Sequence, residues 1–232
     1  MTTMEEQESP QSEIQRWYAS LYTRRVDLVG DYAGAELFLI EGDSLLLQAF
    51  SDPLLDFGAN GFQLLHAVYN VEKFLKQLSA RGGNFHIAFF DDRRELCVPD
   101  RVGKKYRQKF LLARDAVLRH LKRNVAREVT EIKTFESATG EDFLNYIHDA
   151  GCYFVMCHDG TGQQLDKQEY YQWWIHFLAQ SGWNVALVNG LECQDTKVRL
   201  WMLREIRVAT NNALDHDNGT GGQEAISHAP ET

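Results

Sequence analysis

Residues 36–43, Glu36-Leu37-Phe38-Leu39-Ile40-Glu41-Gly42-Asp43, decide how the rest of the chain is read. Four consecutive apolar residues between acids are too short for a buried helix and lack the alternation of a half-exposed strand. They fit a strand covered on both faces, as in parallel sheets. The pattern recurs at Phe85-His86-Ile87-Ala88-Phe89-Phe90 before Asp91-Asp92, at 153–157 before His158-Asp159-Gly160, and at 183–188 before Asn189-Gly190. Residues 130–135 (TEIKTF) form a weaker candidate.

Helical periods fill the intervals. Residues 60–80 carry Phe62, Leu65, Val68, Val71 and Leu75 on one face and stop at Arg81-Gly82-Gly83. Residues 101–126 carry Phe110, Leu111, Val117, Leu118, Leu121 and Val125. A helix over 141–150 takes Ser137 or Thr139 as its cap and Gly151 as its stop. Residues 166–180 form an aromatic-rich helix with Trp174, Phe177 and Leu178 towards the core and Trp173 left as a stacking or partner contact. Strands alternating with helices predict an α/β fold: a Rossmann-like parallel sheet with helices on both faces.

The boundaries follow from composition. Residues 1–28 read as a flexible N-terminal segment with a short helix carrying Ile14, Trp17, Tyr18 and Leu21. Residues 29–209 read as one domain, and the polar, Gly-rich residues 210–232 as a disordered tail or linker. With 232 residues, 44% of them hydrophobic, one core can form without disulfides. The four scattered cysteines, Cys97, Cys152, Cys157 and Cys193, read as reduced thiols, and Cys157-His158 lacks the second pair that a zinc site needs. No apolar stretch suits a signal peptide or a membrane span, so a cytoplasmic or nuclear location is expected, not secretion or a membrane.

In open parallel sheets, ligands bind beyond the carboxyl ends of the strands. Asp43, Asp91, Asp92 and Asp159 all fall there, and Glu72 interrupts the apolar seam of the first long helix. An Asp after a strand is also an ordinary turn or cap residue, but the recurrence at three strand ends favours an acidic site. Clustered carboxylates repel and raise each other's pKa. Mg²⁺ or Mn²⁺ removes that cost, and such ions activate water for phosphodiester cleavage. Asp43, Glu72, Asp91, Asp92 and Asp159 are therefore the candidate metal ligands, with Asp43, Glu72 and Asp159 the catalytic candidates. No phosphate-loop motif or GxSxG is present, and Asp43-Ser44-Leu45 lacks the second acid of a DxD phosphatase.

The net charge of −9 hides an uneven distribution. Residues 101–127 hold ten Lys/Arg against one acid, Asp115. Such a run is either a solvated helix face or a footprint for nucleic acid. Lys104, Lys105 and Arg107 are the exposed candidates. Arg114 lies on the apolar stripe, where it snorkels to solvent, pairs with the acids or reaches a phosphate.

The segment Leu37-Phe38-Leu39-Ile40-Glu41-Gly42-Asp43-Ser44-Leu45-Leu46, with Val71-Glu72-Lys73-Phe74-Leu75 and residues 81–90, resembles the N-terminal PIN-like region of the superkiller-type, antiviral DEAD/H-box RNA helicases. Residues 153–160 extend the resemblance. It implies a PIN-like fold that serves a helicase core in cis or another protein, with RNA as the ligand. PIN domains are Mg²⁺/Mn²⁺ ribonucleases, and position by position Asp43 matches the first-strand acid, Glu72 the helix acid and Asp159 the later strand-end acid. Two functions are implied: an RNA-binding module that cleaves RNA, or an inactive module for RNA binding or docking.

Overall fold

The computed structural model describes residues 12–21, 24–27, 29–30, 36–58, 61–124, 131–188 and 196–198. The elements begin with α1 (Glu13–Ala19), β1 (Arg24–Val26), β2 (Leu37–Glu41), α2 (Gly42–Phe50) and α3 (Leu64–Ala80). After β3 (Asn84–Phe90), 3-10 turns at Asp91–Cys97 and Lys104–Tyr106 lead into α4 (Arg107–Asn124) and β4 (Glu131–Phe135). The chain continues through α5 (Glu141–Asp149), β5 (Phe154–Cys157), α6 (Leu165–Gln180), β6 (Asn184–Leu187) and β7 (Thr196–Val198).

The sheet order is β1-β7-β6-β5-β2-β3-β4. The five strands from β6 to β4 are parallel, as the apolar runs predict. The chain builds outward from β2, first through β3 to β4 and then back across to β5 and β6. The connections therefore change direction between β2 and β5, the place where doubly wound sheets form a crevice.

Side-chain alternation explains why the sheet needs cover on both faces. Phe38, Ile40, Phe85, Ile87, Phe89, Phe154 and Met156 point into one core, with α2, α3 and α4. Leu39, Ala88, Phe90, Val155 and Cys157 point into a second core, with α1, α5 and α6. Cys97, Cys152 and Cys157 are buried and free.

Several boundaries differ from expectation. Residues 44–50, to which the apolar pattern assigns no element, form the body of α2, so Asp43 sits in a helix's first turn rather than in a loop. The N-terminal helix ends at Ala19, and residues 24–26 form β1, which pairs antiparallel with β7, itself antiparallel to β6. Both are three-residue strands, too short to carry a readable period. Helix α1 packs on α6, with Tyr18 and Leu21 buried, so this part of the N-terminal segment is docked. The long basic helix begins at Arg107, after the separate 3-10 turn, and α5 is capped by Gly140 without a side-chain bond rather than by Ser137 or Thr139. The expected stops at Gly82 and Gly151 do adopt positive φ. The tail expected over 210–232 lies outside the described residues.

The joint between β2 and α2 depends on Gly42. A Cβ there would come within 2.5 Å of the Phe89 ring. Gly42→Ala must displace Phe89 from a filled core, and overpacking of this kind costs roughly 1–3 kcal/mol. Urea denaturation should show the midpoint fall, and an unchanged midpoint would mean that Phe89 has room to move.

Candidate functional site

The site begins where β2 ends. The first turn of any helix leaves backbone amides without partners. Here the side chain of Glu41 accepts the amides of Asp43 at 3.0 Å and Ser44 at 2.6 Å. Glu41 is thereby turned back onto α2 and buried.

Asp43, in the first turn of the helix, faces α4. Arg114 donates from Nε to Oδ1 at 2.6 Å and from Nη2 to Oδ2 at 2.9 Å, a bidentate pair closed to solvent. Nη2 also donates to the Phe90 carbonyl at 3.1 Å, which ties the pair to the end of β3. Burial pushes the carboxyl of Asp43 up, and the Arg114 hydrogen bonds and charge oppose that. Burial alone would lower Arg114, but Asp43 more than reverses this and raises it.

A second guanidinium lies close by. Arg93, in the turn after β3, is 1% exposed. Its three nitrogens have no hydrogen-bond partner among the described residues. It lies instead over the rings of Trp174 at 4.2 Å, Tyr170 at 4.9 Å and Phe90 at 5.8 Å. Its charge reaches Glu41 and Asp43 and draws both carboxyls down. Burial, followed by the charge of Asp43, nevertheless pushes Glu41 up to about 7.

The other predicted acids lie elsewhere. Asp159, after β5, is buried and accepts the Tyr18 hydroxyl at 2.7 Å and the Thr161 amide at 2.9 Å. Burial pushes its carboxyl up, but the Tyr18 and Thr161 hydrogen bonds and His158 outweigh that and hold it low. Glu72 lies between α3 and α4, where it meets His120 at 2.7 Å and Lys76 at 3.4 Å. The His120 hydrogen bond leads in lowering its pKa. Asp91 and Asp92 are exposed, and Asp92 accepts from Ser137 at 2.8 Å and the Ala138 amide at 3.3 Å.

Asp43, Glu72 and Asp159 thus each keep separate partners. Among the described residues, no three His, Cys, Asp or Glu side chains form a group that could hold a metal ion. A divalent ion at Asp43 would sit against the guanidinium that already engages both oxygens, and Arg93 would add further repulsion. This donor set does not fit the Mg²⁺ or Mn²⁺ that a nuclease of this fold needs.

Of the basic candidates, Lys104 and Lys105 are exposed, Arg107 is exposed and paired with Glu95, and Arg114 is buried. Trp173 is 41% exposed, as its position off the buried face of α6 predicts. Sequence reasoning missed Glu41, Arg93 and Tyr18. Glu41 is an acid at the end of an apolar strand, a signal open to notice, whereas Arg93 in Asp91-Asp92-Arg93-Arg94-Glu95 looks like a solvated charge run.

A sheet whose five parallel strands are built outward from β2, with buried acids after β2 and after β5, is consistent with a PIN-like α/β domain. Residues 18–219 match the family model of the PIN-like domain of the ATP-dependent RNA helicase DDX60, and the chain belongs to that family. The chain is 29% identical over 204 residues to a Homo sapiens protein described as a probable ATP-dependent RNA helicase DDX60-like. The match covers 85% of this chain and 11% of that protein, so the chain spans about a tenth of its relative's length. No solved structure matches the chain.

Two measurements test the charged centre. Arg114→Met leaves the Asp43 charge buried alone and should cost about 3–5 kcal/mol in urea denaturation. Adding Asp43→Asn should recover part of that loss, so the double variant is less destabilised than the sum of the singles. The second concerns Glu41, whose folded pKa of about 7 lies above its ordinary 4.5. The folded state keeps that proton after the unfolded chain has released it, so stability falls as pH rises through this window. Glu41→Gln should flatten the fall, and an unchanged pH profile would show that Glu41 is not the titrating group.

Proposed function

We propose that this chain is a non-cleaving, RNA-binding PIN-like module of a DDX60-type helicase. The observation that carries the reading is the bidentate Asp43–Arg114 pair, which puts a fixed cation on both oxygens of the acid that a catalytic metal would need most. Asp159 and Glu72 are engaged with Tyr18 and His120, and Glu41, the acid beside Asp43, is turned onto the first amides of α2.

RNA contact is assigned to the exposed basic run that begins at Arg101 and continues through Lys104, Lys105 and Arg107. The support is its concentration of cations in an otherwise acidic chain and the helicase family to which the domain belongs. Phosphate contacts by these side chains position a strand without reading its bases. Arg114 has no part in this, because it is enclosed in the core.

The test uses the purified chain with labelled single-stranded RNA. Binding should weaken steeply with salt, because each phosphate contact releases counterions. The combined Lys104→Glu, Lys105→Glu and Arg107→Glu variant should bind at least about tenfold more weakly, while added Mn²⁺ yields no product. Mn²⁺-dependent cleavage that disappears in a folded Asp43→Asn variant would defeat the non-cleaving reading. RNA binding unchanged by the three reversals would remove the basic run from it.

A further inference from the structure

A cleft of about 320 Å³ opens near the switch point between β2 and β5, and its lining includes none of the charged centre. Its walls come from three segments that follow strand ends: the second half of α2, the turn after Cys97, and the loop after β5. The polar side chains that line it are Gln48, Ser51, Arg101, His158, Thr161 and Gln163, and no carboxylate is among them.

The local hydrogen bonds orient these groups as donors. The amide of Gly160 donates to Nδ1 of His158 at 2.8 Å, so the ring proton must sit on Nε2. Burial pushes the imidazole's pKa down and keeps it neutral in that tautomer. The carbonyl of Gln163 is taken by the amide of Asp100 at 3.0 Å, which leaves its NH₂ as the remaining polar group. Arg101 donates through Nη2 to the carbonyls of Phe50 at 3.2 Å and Asp52 at 3.0 Å, which holds its guanidinium at the end of α2 and leaves Nε and Nη1. Three acids adjoin lining residues along the chain, and each is engaged: Asp100 by Lys167 at 2.9 Å and the amide of Gln164 at 2.7 Å, Asp52 by Asn70 at 2.8 Å and His66 at 3.1 Å, and Asp159 by Tyr18 at 2.7 Å and the amide of Thr161 at 2.9 Å.

We infer that this cleft binds the phosphate group of a nucleotide, with Arg101 supplying the charge and His158 Nε2–H, Gln48 and Gln163 supplying neutral donors. A fixed guanidinium among neutral donors is the chemistry that recognises phosphate oxygens. The volume lies at the lower end of small-molecule sites, which suits one nucleotide rather than a duplex. Arg101 is also the first cation of the basic run, and exposed Lys104 and Lys105 follow within one short turn. On the RNA-binding reading, which this inference deepens, the cleft seats one nucleotide of a strand whose neighbouring phosphates meet those lysines.

The experiment titrates the full chain with AMP, adenosine, inorganic phosphate and a short oligoadenylate, followed by NMR and calorimetry. The deciding variant is Gln48→Glu, which puts a carboxylate into the cleft from a half-buried position and leaves the basic run intact. Wild type should bind AMP, with adenosine at least about tenfold weaker. Gln48→Glu should weaken AMP binding at least about tenfold with an unchanged melting temperature, and Arg101→Gln should do the same. Lys104→Glu with Lys105→Glu should leave AMP affinity within about twofold and weaken only the oligonucleotide. Adenosine binding as tightly as AMP, or Gln48→Glu binding AMP and oligonucleotide like wild type, overturns the inference. If oligonucleotide binding depends on the lysines but not on Gln48, the cleft fails and the RNA-binding reading stands. If AMP binding depends on Gln48 and no oligonucleotide binds, the cleft stands as a free-nucleotide site and the RNA-binding reading fails.

Discussion

The bidentate bond between Asp43 and Arg114 governs the carboxyl edge of this sheet. It joins α2 to α4 directly and reaches the end of β3 through the Phe90 carbonyl. Two charges taken out of water at this depth are tolerable only when each satisfies the other, because a lone buried ion costs several kcal/mol. The same bond decides the chemistry. With both oxygens on one guanidinium and the charge of a second nearby, the interaction that lets the acid be buried also makes it a poor ligand for a divalent ion.

The surroundings of the pair reflect its charge. Glu41 and Asp43 are drawn together because one caps the helix in which the other sits. Two neighbouring buried carboxylates repel, and Glu41 holds its proton to about pH 7. Arg114 has a further carboxylate in Asp115 at 3.5 Å, whereas Arg93 has no ion-pair or hydrogen-bond partner among the described residues. Arg93 is held by stacking rather than by hydrogen bonding, since the faces of Trp174, Tyr170 and Phe90 carry the negative side of the ring quadrupole. The surplus of aromatic residues on α6 thereby has a physical cause beyond filling the core.

How far the sequence could be read varies by residue. The apolar runs revealed four of the five parallel strands, because burial on both faces leaves no alternation to confuse them, while the half-buried edge strand β4 was only a weaker candidate. Arg114 stood out as a cation on an apolar stripe, and pairing with an acid was one of its three readings. Glu72 was harder, since at 100° per residue a side chain at the border of a helix's buried stripe faces either neighbour, and here it faces His120 on α4. The position of Asp159 was legible, but its partner was not, because Tyr18 lies 141 residues away in a helix whose docking no local pattern encodes. The antiparallel β1–β7 pair escaped for a similar reason, each strand being too short to show a period.

Helix α2 explains why a closed charged centre and an open donor-lined cleft share one edge of the sheet. Its nine residues span roughly 13 Å at 1.5 Å per residue. Its partial positive end receives Glu41 and Asp43, and its partial negative end receives Arg101 through the carbonyls of Phe50 and Asp52. Charges of opposite sign are thus held apart along one short helix, each where the backbone dipole favours it. The acids, buried at the N-terminal end, are answered from within by Arg114 and Arg93. The guanidinium at the C-terminal end is held by the carbonyls of Phe50 and Asp52, so the same edge of the sheet places a cation on a cavity whose lining side chains include no carboxylate.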